Sequence, residues 1–227
     1  MSLFFVTGID TGIGKTEAAG VLARSLRMNG ISAVTQKLIQ TGQTGQISED
    51  ILRHRELMET GLLPEDWPQS FSTGTLTCPY SFSFPASPHL AAELEGRIID
   101  TEKLTEATEI LQSRFAAVLI EGSGGLFVPI SDSVFMIDYL EQRRYPVVLV
   151  TSGRLGSINH TLLTLESVRQ RGIPLAGLVF NQYPQVDETL AGAALRLFRR
   201  FCPNILLLPP VDPRNIPAVD LSFLQDK

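Results

Sequence analysis

The chain has 227 residues, 44% of them hydrophobic, and a formal net charge of −5. That length suits one α/β domain of ordinary size, and the acidic balance gives no general attraction for polyanions, so nucleic acid is excluded as an expected partner. No run approaches the roughly 18 apolar residues of a membrane span, and the start MSLFFVTG has no basic segment leading into an apolar run and cleavage site, so a cytoplasmic protein without membrane attachment is expected.

Leu3 to Thr7 is the first predicted strand, Gly8 to Gly14 a turn of small residues, and Lys15 to Asn29 an amphipathic helix that Gly30 stops. This is the strand, turn and helix of a phosphate-binding loop, with one oddity of spacing. The common spelling, G-x-x-x-x-G-K-[ST], needs glycine where this chain has Ile9; the nearest earlier glycine is Gly8. The backbone amides of Gly12, Ile13 and Gly14 and the positive helix end would face phosphate oxygens. Lys15 would reach the terminal phosphates and the Thr16 hydroxyl would sit on Mg²⁺. The alternative is an ordinary glycine-rich turn with a surface lysine.

A second strand, Ala33 to Gln36, delivers Lys37 to its end, where an ammonium can stabilise charge on a transferring phosphoryl group or on the carboxylate attacking it. Residues 42 to 90 then break the rhythm, rich in Gly, Ser, Thr and Pro around one short helix, as expected of a functional loop. Within it Asp50 is a candidate metal carboxylate or a helix-start acid. A helix at Thr101 to Arg114 precedes the strand Ala116 to Ile120, which ends in Glu121 followed by Gly122, Ser123, Gly124 and Gly125. A carboxylate directly after a buried strand is costly without a cation, so Glu121 is the expected metal acid. Then follow a helix at Val134 to Arg144, a strand at Val147 to Thr151, a helix at Ser157 to Arg171 stopped by Gly172, a strand at Leu175 to Phe180, a helix at Val186 to Phe201 and a strand at Ile205 to Leu208. The start of the Ser157 helix, with Gly156 and Asn159, could bind a carboxylate, or Ser157 could simply cap it. Strands apolar throughout and alternating with helices imply a doubly wound, mainly parallel α/β fold of the P-loop NTPase type, with helices on both faces. Cys78 and Cys202 suggest neither a disulfide nor a zinc site, and His54, His89 and His160 show no metal spacing or nucleophile partner, so they stay outside the expected chemistry.

Six segments in order, VTGIDTGIGKT, QKLIQTG, FPASPHLAA, IEGSGGLFVPIS, RLGSINHTLLT and GLVFNQ, resemble those of the dethiobiotin synthetases, over almost the whole chain. That family also carries the longer glycine spacing. The resemblance implies an ATP-dependent ligase of biotin synthesis: 7,8-diaminononanoate takes up CO₂ as a carbamate, ATP phosphorylates it, and the neighbouring amine closes a cyclic urea. It implies Lys37, Lys15 and Thr11 at the reacting carbamate and γ-phosphoryl group, and Thr16, Asp50 and Glu121 on Mg²⁺. Glu17, Gly122, Ser123 and Gly124 join the loop amides around ATP, Asn181 reads adenine, and Pro209, Pro210 and Val211 flank the base. Thr41 and Gly124 would hold the diamine, while Gly156 and Asn159 of the other subunit of a homodimer would hold the substrate carboxylate. The chain departs from the family pattern at Leu38, which stands where the lysine segment has proline, at Gln182 after Asn181, in a short loop between Gly42 and Asp50, and in PPVDPRNIP. A MinD/ParA-like switch ATPase is the alternative, but its second loop lysine would fall at Asp10. A cobyrinate-type ligase would need room for a glutaminase domain, and an idle nucleotide-binding protein would not need Lys15, Thr16, Lys37 and Glu121 together.

Overall fold

The computed structural model describes residues 2–68, 74–212 and 214–224. Residues 69–73 of the expected long loop and Pro213 of the C-terminal stretch lie outside the described residues. Six strands, β1 (Ser2–Gly8), β2 (Ala33–Lys37), β5 (Ala117–Glu121), β6 (Val147–Ser152), β7 (Leu175–Asn181) and β8 (Ile205–Leu208), form one sheet in the order β2-β5-β1-β6-β7-β8, and every pairing is parallel. The remaining elements are the two-residue pair β3 (Ile39–Gln40) and β4 (Tyr80–Ser81) and helices α1 (Lys15–Met28), α2 (Glu49–Leu57), α3 (Pro88–Leu94), α4 (Thr101–Arg114), α5 (Met136–Arg143), α6 (Ser157–Gln170) and α7 (Glu188–Phe198).

The continuous apolar runs have a physical reason. Successive side chains of a strand point to opposite faces, and here both faces are covered. Phe4, Val6, Leu119, Val148 and Val150 pack with α1 on one side, while Leu3, Phe5, Val118, Ile120 and Leu149 pack with α4, α5, α6 and α7 on the other. Glycine at position 20 lets α2 lie close on α1, because a Cβ there would stand 2.6 Å from the Leu57 side chain.

The six predicted strands are present, and the helices differ at their ends. Helix α5 starts later than expected because the Asp138 carboxylate accepts from the Phe135 amide and closes the first turn there. Likewise, Asp187 caps α7 by accepting from the Thr189 and Leu190 amides, so Val186 lies outside it. The 42–90 stretch holds more than the one short helix expected. Besides α2 it contains a 3₁₀ turn at Pro64–Asp66, β4 and the first residues of α3. Elements this short leave no periodicity to read, yet Leu76, Tyr80 and Phe82 are buried in the core beside α4.

Candidate functional site

A cleft of about 930 Å³ runs along the ends of the strands, between the loop after β1, α2, the Gly-rich segment after β5 and the ends of β7 and β8. Open parallel sheets bind ligands outside the carboxyl ends of their strands, and this volume is at the upper end of the range for ligand pockets.

The loop leaves β1 at Gly8, and Gly14 opens α1 with φ 97°, in the left-handed region that favours glycine. The Asn181 amide packs where a Gly14 Cβ would stand. Among the described residues the amides of Gly12, Ile13 and Gly14 find no protein acceptor, so their N–H groups remain for an incoming anion. The Ile13 side chain is buried in the α1 core rather than in the cleft. Lys15 folds back, its Nζ donating to the Asp10 carbonyl at 2.9 Å. Burial, and then the Lys37 ammonium, lower Lys15 to about 8 against the pull of Glu121, Asp50 and Asp10.

Strand register makes the centre of the site. Lys37 at the end of β2 is paired directly with Glu121 at the end of β5. Lys37 Nζ lies 2.8 Å from Glu121 Oε1 and 2.6 Å from Asp50 Oδ2, the latter supplied by the first turn of α2. The Thr16 hydroxyl is 3.1 Å from Glu121 Oε1 and 3.3 Å from Asp50 Oδ1. Burial alone would discharge both buried groups. Instead, the two carboxylates outweigh it and hold Lys37 charged above the ordinary lysine range. Lys37 and the His54 ring likewise outweigh it and hold Glu121 well below the ordinary carboxylate range. Leu38, next in the chain, is buried and its N–H donates to the Glu121 carbonyl at 3.0 Å, a bond that proline at this position could not make.

Of the other residues singled out in the sequence, Thr11, Gly12, Glu17 and Thr41 line the cleft, as do Ser123, Gly124, Asn181 and Val211. Ser123 turns its hydroxyl to the Ile39 carbonyl at 2.6 Å. Gly122 packs against Phe5, where a Cβ would meet the ring at 2.7 Å. Asn181 is held at both ends, Nδ2 donating to the Ile13 carbonyl and Oδ1 accepting from the Tyr183 amide. Pro209 and Pro210 precede Val211 at the end of β8. Gly156 and Asn159 are exposed and stand outside this cleft, and Ser157, whose hydroxyl faces that of Ser152, makes no side-chain cap.

Three features escaped sequence reasoning. Pro85 to Pro88 form a wall of the cleft, and Arg53 and Tyr183 line it. His54, set aside in the sequence, is buried completely against Glu121, with Nε2 2.8 Å from Oε2. The signal available for it was its spacing of one helical turn from Asp50, which puts both on one face of α2. Among the described residues there is no cluster of three or more His, Cys, Asp or Glu able to hold a metal alone. Two carboxylates and a hydroxyl are nevertheless a hard oxygen set of the kind Mg²⁺ accepts alongside phosphate oxygens.

The chain is similar to known proteins over most of its length. A family described as an AAA domain matches residues 3–208. The ATP-dependent dethiobiotin synthetase BioD 2 of Pasteurella multocida is 45% identical over 199 residues, covering 88% of this chain and 90% of its own. That of Haemophilus influenzae is 45% identical over 83% of this chain and 95% of its own. The ATP-dependent dethiobiotin synthetase BioD of Chlorobaculum tepidum is 50% identical over 82% of this chain and 75% of its own.

Proposed function

The chain belongs to the ATP-dependent dethiobiotin synthetase family, and from that premise we propose that its cleft closes the ureido ring of dethiobiotin from 7,8-diaminononanoate, CO₂ and ATP. The observation that carries this reading is the meeting of Lys15 and Lys37 with Thr16, Asp50 and Glu121 at one end of the cleft. In the proposed sequence one amine takes up CO₂ as a carbamate, a carbamate oxygen attacks the γ-phosphorus and ADP departs. The second amine then attacks the carbonyl carbon of the mixed anhydride, phosphate leaves and the ring closes. Uptake of CO₂ places negative charge on the carbamate oxygens, and as ADP departs charge shifts to the β–γ bridging and γ-phosphoryl oxygens, so ammonium groups already fixed there stabilise the charge as it forms. Lys37, held charged by its neighbours, faces the carbamate, and Lys15 faces the γ-phosphoryl group. Thr11 at the cleft wall completes the reacting end.

The free amides of Gly12, Ile13 and Gly14 cradle the phosphates, with Glu17, Gly122, Ser123 and Gly124 beside them. Thr16, Asp50 and Glu121 would hold Mg²⁺, which when bound neutralises charge on the β- and γ-phosphates. Asn181 is assigned to adenine, with Pro209 to Val211 flanking the base. Its two fixed hydrogen bonds leave one amide hydrogen and one carbonyl lone pair for a base edge. Thr41 and Gly124 take the diamine end. Because Gly156 and Asn159 lie outside the cleft, with Leu155 beside them 85% exposed, their service to the substrate carboxylate requires a second copy, and a homodimer is part of the proposal. One continuous sheet supports treating residues 1–227 as one domain carrying the 42–90 insertion, and a cytoplasmic location completes the reading.

ADP release by the purified protein with Mg²⁺, ATP and bicarbonate is expected to depend on the diamine. ATP turnover indifferent to the diamine would overturn the reading in favour of a switch ATPase.

A further inference from the structure

His54 lies on the face of α2 that also carries Asp50, and its side chain is fully buried. Its Nε2 is 2.8 Å from Glu121 Oε2. The ionised carboxylate only accepts, so Nε2 carries the donated hydrogen. The two oxygens of Glu121 are thereby divided. Oε2 faces His54, while Oε1 takes Lys37 Nζ at 2.8 Å and the Thr16 hydroxyl at 3.1 Å. The other ring nitrogen, Nδ1, is buried without any hydrogen-bond partner among the described residues. An aliphatic side chain would fill the same space without stranding a polar atom, and a buried group left unpaired in a native protein calls for an explanation.

We propose that His54 is a positioning residue of the metal site: it locks the Glu121 carboxylate so that only Oε1 is presented to a divalent cation. This rests on the assignment of Glu121 to Mg²⁺ in the functional reading above. Because His54 and Asp50 share one face of α2, the same helix that brings one carboxylate to the site orients the other. A hydrogen-bond partner that orients a metal ligand typically contributes about 10- to 100-fold to metal affinity.

The experiment compares wild type with His54→Leu, His54→Gln and His54→Asn, titrating Mg²⁺ against binding of a non-hydrolysable ATP analogue by calorimetry, with thermal unfolding measured in parallel. The glutamine amide reaches the place of Nε2, whereas that of asparagine reaches only the place of Nδ1. His54→Leu and His54→Asn are expected to raise the half-saturating Mg²⁺ concentration about tenfold or more, and His54→Gln to stay within about threefold of wild type. Turnover of the leucine and asparagine variants at saturating Mg²⁺ is expected to recover most of the wild-type rate. Equal shifts in all three variants, or an unchanged Mg²⁺ requirement with only a lowered melting temperature, would overturn the proposal. Should His54→Leu fail to fold, the glutamine and asparagine variants decide: equal Mg²⁺ requirements contradict the positioning role. Wild type that binds nucleotide without regard to Mg²⁺ also overturns it. Wild type with the expected Mg²⁺ dependence but no diamine-dependent ADP release would instead sink the functional reading and leave His54 in place.

Discussion

Lys37 and Glu121 are a buried ion pair, with side chains 7% and 1% exposed, so each keeps the other charged where burial alone would neutralise it. On the proposed chemistry Lys37→Gln abolishes ring closure, a fall of at least about 100-fold in kcat, while leaving nucleotide binding largely intact. Single-turnover ADP formation and analogue binding measure the two, and wild-type-like turnover would remove Lys37 from catalysis. Cys78 gives a second test. Burial pushes its thiol up to about 12, so it stays protonated at pH 8 and is expected to resist alkylation until the protein unfolds. The sign for stability follows: the unfolded thiol ionises first, so this contribution is intact below pH ~9 and is lost as pH rises towards 12. Mass-detected alkylation of native and denatured protein checks it, and rapid native labelling of Cys78 would contradict it. At this scale the loop lysine, Thr16 and Glu121 were legible because a strand end, a glycine run and Gly-Lys-Thr are local patterns. His54 was not, because its partner is brought to it by folding from 67 positions away.

Helix α2 supplies Asp50 and His54, and its own placement depends on groups that do no chemistry. Arg55 reaches away from the cleft to Asp66, with bonds of 2.8 and 2.7 Å, and to the Thr35 hydroxyl at 2.8 Å. Asp66 also accepts from the Leu63 amide and the Thr77 hydroxyl, so one buried pair joins α2, the 3₁₀ turn, β2 and the segment before β4. Truncating Arg55 to alanine strands a buried carboxylate, and the expected loss is about 3–5 kcal/mol, a large share of the roughly 5–15 kcal/mol that a domain possesses. Denaturant unfolding would show this as a lowered midpoint, and an unchanged midpoint would mean that the pair does not hold α2. The sequence made the long elements plain, since strands apolar on both faces and helices with a buried stripe repeat over many residues. It was nearly silent on 58–68 and 74–83, where Thr75, Thr77 and Ser83 bond to backbone and acids and β4 is two residues long.

Across the whole molecule, the alternation of strands and helices implied a parallel sheet, but not the order β2-β5-β1-β6-β7-β8. That order, which seats β5 between β1 and β2, is what sets Glu121 beside Lys37 and within reach of Thr16 in the first turn of α1. Candidate residues on three separate segments were thus readable only as a list, and their meeting is a property of topology. Among the described residues no helix is long and apolar enough to cross a membrane. The most direct test of the central claim is incorporation of isotopically labelled bicarbonate, with product identified by mass after incubation with ATP, Mg²⁺ and 7,8-diaminononanoate. The expected result is a product one carbonyl heavier than the diamine less two hydrogens, carrying the label and formed in step with ADP. ADP formed with no labelled carbon in any product would contradict it.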